Sequence, residues 1–420
     1  MTLTGFVLLY IAATIAIGVI AATRVKNTSD FALAGRSLPL PMVITATFAT
    51  WFGSETILGL PGRFIESGIA GVIEEPFGSG MALILVGTFF AHKLYKQNIL
   101  TLGDYYRDRY GRSVELLCSV AIVISYLGWV GAQVTALGLV INLITEGAVS
   151  MTTGMVIGAA VVLAYTMVGG MWSVAMTDFV QMIVIVVGLV AILWFATDLA
   201  GGMDKVVDYA RGRDLFHAFP EPTTTGWLFW ISAAMTMMIG SIPQQDVFQR
   251  VMSAKNLPTA VAGPILGGSF YILFAFVPMF IVVAAILVMP DAAEKMLSED
   301  PQQLLPTLVR DYMPMWLRVV FFGAVLSAVM STASATMLAP STIFVENVLR
   351  HFMKIDDRNM LRAMRLSVAV FAVCVLSYSI ALEGAAIYDM VAMAYQFPVV
   401  GAFWPCLLYT SPSPRDYAAS

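Results

Sequence analysis

Ser331 and Thr332 are adjacent in a run of small and hydroxyl-bearing residues: Ser327, Ala328, Ser331, Thr332, Ser334 and Thr336. Ala328, Ser331 and Thr332 are spaced i, i+3, i+4, so they share one side of a helix. Hydroxyls and main-chain carbonyls are hard, neutral oxygen ligands, the chemistry that holds a monovalent cation. The same residue types let helices pack closely, so helix–helix packing is the competing reading. A second stretch, residues 45–62, supplies complementary groups. It reads TATFATWFGSETILGLPG and lies in an apolar segment, yet its middle holds Gly53, Ser54 and Glu55. An ionised carboxylate facing lipid costs on the order of 3 kcal/mol, and the Gly-Ser pair weakens a helix. The expectation is a helix interrupted at membrane depth. Its freed carbonyls, near Ala49 and Phe52, would turn toward a bound ion or solute.

These residues need a membrane scaffold, and the composition supplies one. The chain of 420 residues is 59% hydrophobic and 12% charged, with mean hydropathy +0.82. Soluble domains carry about twice that charge, so the reading is an all-α polytopic membrane protein whose partner is the lipid bilayer, with no nucleic acid. Cys118, Cys374 and Cys406 are far apart, as are His92, His217 and His351, so neither set has metal or disulfide spacing. No His-Asp, Cys-His or HExxH arrangement falls within the spans, which disfavours an enzyme.

Apolar runs of about 18 residues or more predict spans at 4–22, 39–62, 76–95, 114–144, 151–168, 174–199, 226–247, 260–289, 316–339, 364–383 and 386–408. The first lacks a basic region before it and is followed by Arg24 and Lys26, so it reads as a true span rather than a signal peptide. With the N-terminus outside, fifteen Lys and Arg residues fall on inner loops, Arg250 among them, against seven outside. Residues 101–110 read as a short amphipathic inner helix capped by Thr101 and Asp104, and 291–314 as a helical outer loop. Both are expected to be solvated connectors.

The seventh segment is also interrupted, at Gly240-Ser241-Ile242-Pro243-Gln244-Gln245-Asp246. An interior proline breaks the hydrogen-bond ladder. Two broken segments five spans apart point to an inverted-repeat transporter with a site at mid-membrane. Pro340 is expected to end the ninth span. Asp178, opening the sixth span, reads either as an interfacial acid or as one that draws a cation toward the inner side.

Several motifs occur in order along the chain: YTMVGG at 165–170, TDFVQ at 177–181, Gln249-Arg250 with Ser253-Ala254-Lys255-Asn256, and AVMST with STIF between 328 and 344. In these the chain resembles the sodium:solute symporter family over residues 4 to 406. The resemblance implies a LeuT-type fold of five plus five helices with one extra helix in front. That assigns 4–22 to the extra helix, 39–199 to the first repeat and 226–408 to the second, all within one transmembrane domain, 1–408. It also implies sodium-coupled symport, with Na+ as coupling ion and no organic cofactor. If residues 59–62 match the family motif after the broken helix, Ala49, Phe52 and Ala328 would give carbonyls to sodium. Ser331 and Thr332 would give hydroxyls, and Asp178 would assist binding and release.

The same resemblance disfavours a sugar, because Gly240-Ser241-Ile242-Pro243 replaces the aromatic residues of the sugar carriers and Thr56 replaces their histidine. Residues 77–91, FGSGMALILVGTFFA, resemble the choline-type branch. Trp51, Ser54, Glu55, Thr56, Tyr126, Trp129, Gln133, Ser241, Gln244, Tyr395 and Gln396 are the expected solute-pocket residues. Aromatic faces plus an acid suit a small amine or quaternary ammonium compound, with amino acids and carboxylates left open. The Ser/Pro-rich run at 409–420 reads as a non-native tail cutting the last helix short. A solute-sensing module built on the same fold is the alternative function. Solute identity, sodium against proton coupling and oligomeric state stay open.

Overall fold

The computed structural model describes residues 3–353 and 356–407. The expectation for 409–420 lies outside the described residues. Seven helices among those described are long and apolar enough to cross a membrane, and an eighth span is a bent pair. Other spans are assembled from shorter or fused pieces. Helix Met151–Leu199 has 49 residues, which would run about 74 Å if straight, over twice the ~30 Å hydrocarbon core. It is divided at Gly170, where φ is 51° and ψ is −142°, so the fifth and sixth spans adjoin without a loop. The second span is split into Leu40–Trp51, a wide turn Glu55–Gly59 and Leu60–Ser67. The eleventh consists of Ile387–Ala394, Gln396–Pro398 and Val399–Leu407.

Local sequence explains where the helices begin. Ser150, Thr223 and Asn256 each accept a backbone N–H two or three residues into the helix that follows. Thr101 and Asp104 form a reciprocal capping box at helix Leu102–Tyr110.

Burial sets the order of the layers. In the ninth span, which starts at Met315, every residue from Ala324 to Ile343 is buried, whereas helix Leu3–Ala22 buries only Val7, Thr14, Gly18 and Ala21. The small and hydroxyl-bearing residues from Ser327 to Thr342 are all buried, because Gly, Ala, Ser and Thr let neighbouring backbones come close. Leu8, Leu9, Trp194, Phe229, Leu273 and Val400 are exposed, as a lipid-facing rim requires.

Several expectations are corrected. Pro340 does not end the ninth span; the helix runs to Ile343 and continues in wide turns through Phe344–Leu349. Ser341 and Thr342 return their hydroxyls to the carbonyls of Met337 and Leu338, one of the ways a proline is accommodated within a span. Helix Leu102–Tyr110 is not a solvated connector. Leu102, Asp104 and Tyr106 are buried, and Asn347 Nδ2 donates to Asp104 Oδ1 (3.1 Å) and Glu115 Oε1 (2.8 Å). The connection at 291–314 is not a solvated loop either: it folds as Pro290–Glu299 and Leu304–Tyr312 with Leu304 to Val309 buried, and Gln302 Oε1 accepts the N–H of Ile387 at 3.1 Å.

A methyl group at Gly170 would lie 2.4 Å from the Phe31 carbonyl oxygen and 2.6 Å from its ring. Gly170→Ala is therefore expected to cost about 2 kcal/mol or more, read as a lower melting temperature and lower folded yield of the purified protein.

Candidate functional site at the broken helices

Helix Leu40–Trp51 stops because Phe52 leaves helical geometry, with φ −88° and ψ 72°. The last carbonyls of a helix have no partner within it, and at this depth no water replaces one. The ninth span supplies the partners. Ser331 Oγ lies 2.8 Å from the Ala49 carbonyl oxygen and 2.8 Å from that of Ala328, and Thr332 Oγ1 lies 3.2 Å from Ala49. All of these residues are buried. Two hydroxyls bring two protons to a cluster of four oxygens, so acceptors outnumber donors. A neutral, oxygen-rich cluster of this kind fits a monovalent cation better than a divalent one, which draws carboxylates. Phe52 sits at the same break with its ring stacked on Phe48, centroids 5.0 Å apart.

Asp178 lies inside the protein rather than on its surface. It is fully buried, and neither carboxylate oxygen has a hydrogen-bond partner among the described residues. No hydrogen bond joins it to the Ala49–Ser331–Thr332 group among those residues.

On the other side of the break, Gln133 from helix Arg112–Ile144 acts as a two-ended clamp. Its Oε1 accepts the Ser54 backbone N–H at 3.0 Å and its Nε2 donates to Glu55 Oε2 at 2.7 Å. Trp129 Nε1 donates to Glu55 Oε1 at 3.3 Å. Glu55 is thus held inward by the fourth span and is not paired with Arg63, which lies over the Tyr388 ring. A side chain at Gly53 would strike the Glu55 carboxylate at 2.6 Å and Thr332 Oγ1 at 2.8 Å, so the ion-type oxygens and the acid flank one glycine.

The aromatic residues gather at the same level. Trp51 and Trp129 have centroids 5.0 Å apart, Trp129 and Tyr395 5.5 Å, Trp51 and Tyr395 5.9 Å, and Tyr126 stacks on Trp129 at 6.0 Å. The Tyr126 hydroxyl bonds Asp246 Oδ1 at 2.5 Å and accepts the Asp246 N–H at 2.9 Å, which ties the fourth span to the break in the seventh. Gln244 Nε2 donates to Ser125 Oγ at 3.1 Å. Thr56 Oγ1 is 3.1 Å from Tyr271 OH. Ser241 is buried but spends its hydroxyl on the Met237 carbonyl. Gln396 is exposed and does not join the group.

Two residues were missed for a physical reason. Arg250, expected on an inner loop, is 2% exposed. Its Nη2 donates to Thr50 Oγ1 at 2.6 Å and its Nη1 to the Asp246 carbonyl at 3.0 Å, so one guanidinium joins both broken helices. Glu75, excluded by starting the third span at residue 76, is 2% exposed within the apolar stretch Ile69–Gln97. An acid at membrane depth was the available signal.

Comparison with known proteins follows this geometry. The sequence profile of the Sodium:solute symporter family matches residues 31–410. The chain belongs to the sodium:solute symporter family. Similar curated members include the high affinity choline transporter 1 of Homo sapiens, 29% identical over 378 residues that cover 84% of this chain and 63% of that protein. The high-affinity choline transporter 1 of Caenorhabditis elegans is 27% identical, covering 86% and 64%, and sodium/glucose cotransporter 4 of Danio rerio is 25% identical, covering 81% and 57%. This symporter-family chain thus spans under two thirds of the length of these relatives. Among solved structures, an outward-open Na+-coupled sialic acid symporter superposes with TM-score 0.82 at 18% identity, covering 94% of this chain and 83% of that one. MhsT in complex with L-phenylalanine gives 0.61 at 12% identity, covering 86% of each. These likenesses establish the LeuT-type fold.

Gln133→Leu removes both clamp bonds, leaving the Ser54 N–H without its partner and Glu55 held through Trp129. It is expected to destabilise by about 2–4 kcal/mol, seen as a lower melting temperature, whereas Gln133→Glu should lose the Glu55 contact by like-charge repulsion.

Proposed function

We propose that this protein couples inward sodium movement to the uptake of a small polar organic solute by alternating access. The observation that carries the reading is the shared break. The Ala49 carbonyl meets Ser331 and Thr332 within a few residues of an aromatic group built on Trp51, Trp129 and Tyr395. Ion and solute would thus act on the same interrupted helix, which is the requirement for coupling them. Ala49, Phe52, Ala328, Ser331 and Thr332 are the residues that would hold sodium, and Asp178, buried and unpartnered, would assist its release toward the inner side. Trp51, Ser54, Glu55, Thr56, Tyr126, Trp129, Gln133, Gln244 and Tyr395 would surround the solute, with Ser241 shaping the neighbouring turn.

The chain's own residues do mechanical and electrostatic work in this reading, with no covalent step. A sodium ion between the second and ninth spans adds ligand bonds that hold the two together, and its loss loosens them. Solute in the neighbouring pocket contacts the second, fourth and eleventh spans. The gradient supplies the free energy: one charge crossing 100 mV is worth about 2.3 kcal/mol, nearly fifty-fold in solute concentration. The likeness to choline transporters and the aromatic faces favour an amine-bearing solute, since cations are attracted to ring faces. The N-terminus lies outside in this reading, with Lys and Arg concentrated on the inner loops.

Proteoliposomes containing the full-length protein and offered labelled amines, amino acids and carboxylates test the proposal. Uptake should require an inward sodium gradient. Ser331→Ala combined with Thr332→Ala should raise the half-saturating sodium concentration at least tenfold. Uptake that is indifferent to sodium, and unchanged in the double variant, would refute it.

A further inference from the structure

Glu75 reaches the pocket from the third span and was not among the residues assigned above. Its Oε1 accepts the Tyr271 hydroxyl and its Oε2 accepts Ser79 Oγ. Tyr271 also touches Thr56, next in chain to Glu55. Glu55, Glu74, Glu75, Met237 and Tyr388 line one narrow cleft, too tight to admit a water-sized sphere. Three carboxyl groups line this cleft and two of them, Glu55 and Glu75, are buried; buried acids side by side are stabilised by a positive partner. Among the described residues, no Lys, Arg or His lies within 4 Å of either. A polar side chain in the same cleft is also unmatched. Tyr388 is 7% exposed, and its hydroxyl has no hydrogen-bond partner among the described residues. The same is true of Tyr395 Oη and Trp51 Nε1 in the adjoining aromatic group.

We propose that Glu55 and Glu75 together select a solute bearing a primary or secondary ammonium group, with Glu75 setting that preference. The inference rests on reading this pocket as the solute site. Its chemistry separates two kinds of cation. Carboxylate and phenol oxygens are hydrogen-bond acceptors, so they are matched by N–H donors. A quaternary ammonium carries no N–H. It can use the ring faces of Trp51, Trp129 and Tyr395 but offers the carboxylate oxygens no N–H beyond the donors they already have from Gln133, Trp129, Tyr271 and Ser79. Sites built to hydrogen-bond a ligand discriminate strongly against analogues that lack the donor. The cleft is narrow because Met237 of the seventh span and Tyr388 of the eleventh close on it. Separation of these two spans from the second would admit the ammonium group.

Ethanolamine and choline form a matched pair that differs only in N-methylation. Each is titrated against the melting temperature of the purified full-length protein in saturating sodium, since a ligand that binds the folded state raises it. Ethanolamine should half-saturate at a concentration at least tenfold below that of choline. Glu75→Gln should raise the ethanolamine value at least tenfold and narrow the ratio. Stabilisation by sodium alone, measured on wild type and variant, reports that the variant is folded and its ion site intact. Choline equal to or better than ethanolamine, no stabilisation by either amine, or a ratio unchanged in Glu75→Gln would overturn the proposal. The wild-type ratio decides even where the variant does not fold. Loss of sodium-dependent stabilisation in the wild type would instead count against the ion-coupling reading, leaving the amine ratio to be judged by itself.

Discussion

A helix that stops inside a membrane must have its loose backbone groups satisfied by protein, because no water is present to do so. Everything around residues 52–54 answers that constraint. The Ala49 carbonyl is met by two hydroxyls of the ninth span, and the Ser54 N–H is taken up by Gln133 of the fourth. The break is therefore held open by two different helices on its two sides. Those helices must sit close, which accounts for the run of Ala, Ser and Thr in the ninth span and for the bare glycine at 53. Any side chain there would enter the space between Glu55 and Thr332.

At the second break, residues 241–244 in the seventh span, the buried groups that are held in place are charged side chains bonded to neutral oxygens. Asp246 and Arg250 are buried together. The aspartate is held by Tyr126 and the guanidinium by Thr50 and the Asp246 carbonyl. Arg250 thereby spans from one broken helix to the other. A parallel backbone bridge between Leu38 and Ala254 repeats the link at the entry of the second span and the exit of the seventh. Two breaks in separate halves of the chain are thus connected through main chain and side chain.

The connecting segments extend this network to both surfaces. At one end of the spans Asn347, beyond Pro340, gathers Thr101, Asp104 and Glu115, while the backbone of Leu102 is bonded to Gln245 in the seventh span. In the connection at 291–314, Pro301 packs against Gly62 and Gln302 bonds the start of the eleventh span. Both segments look polar enough to be solvated, yet each buries one apolar face against the spans. The fold is shared with a Na+-coupled sialic acid symporter and with MhsT at 18% and 12% identity, so packing and backbone satisfaction, rather than particular side chains, maintain the architecture.

The sequence by itself determined the class, the approximate spans and both interruptions, because hydropathy and helix-breaking residues are local properties. It also singled out Ala328, Ser331 and Thr332, since i, i+3, i+4 spacing is enough to set them on one face. Tertiary structure alone decided what those features meet. Gln133 was legible as a polar residue at depth but not as a clamp, because its partners lie 78 and 79 residues away in the chain. Arg250 and Glu75 were misplaced at boundaries, since a charge near the edge of an apolar run reads as interfacial until its buried partner is known. Gln396 was the reverse case, a polar residue beside a pocket tyrosine that faces outward. The direction of a side chain at a break depends on backbone angles that no periodicity describes, and there only the packed structure decides.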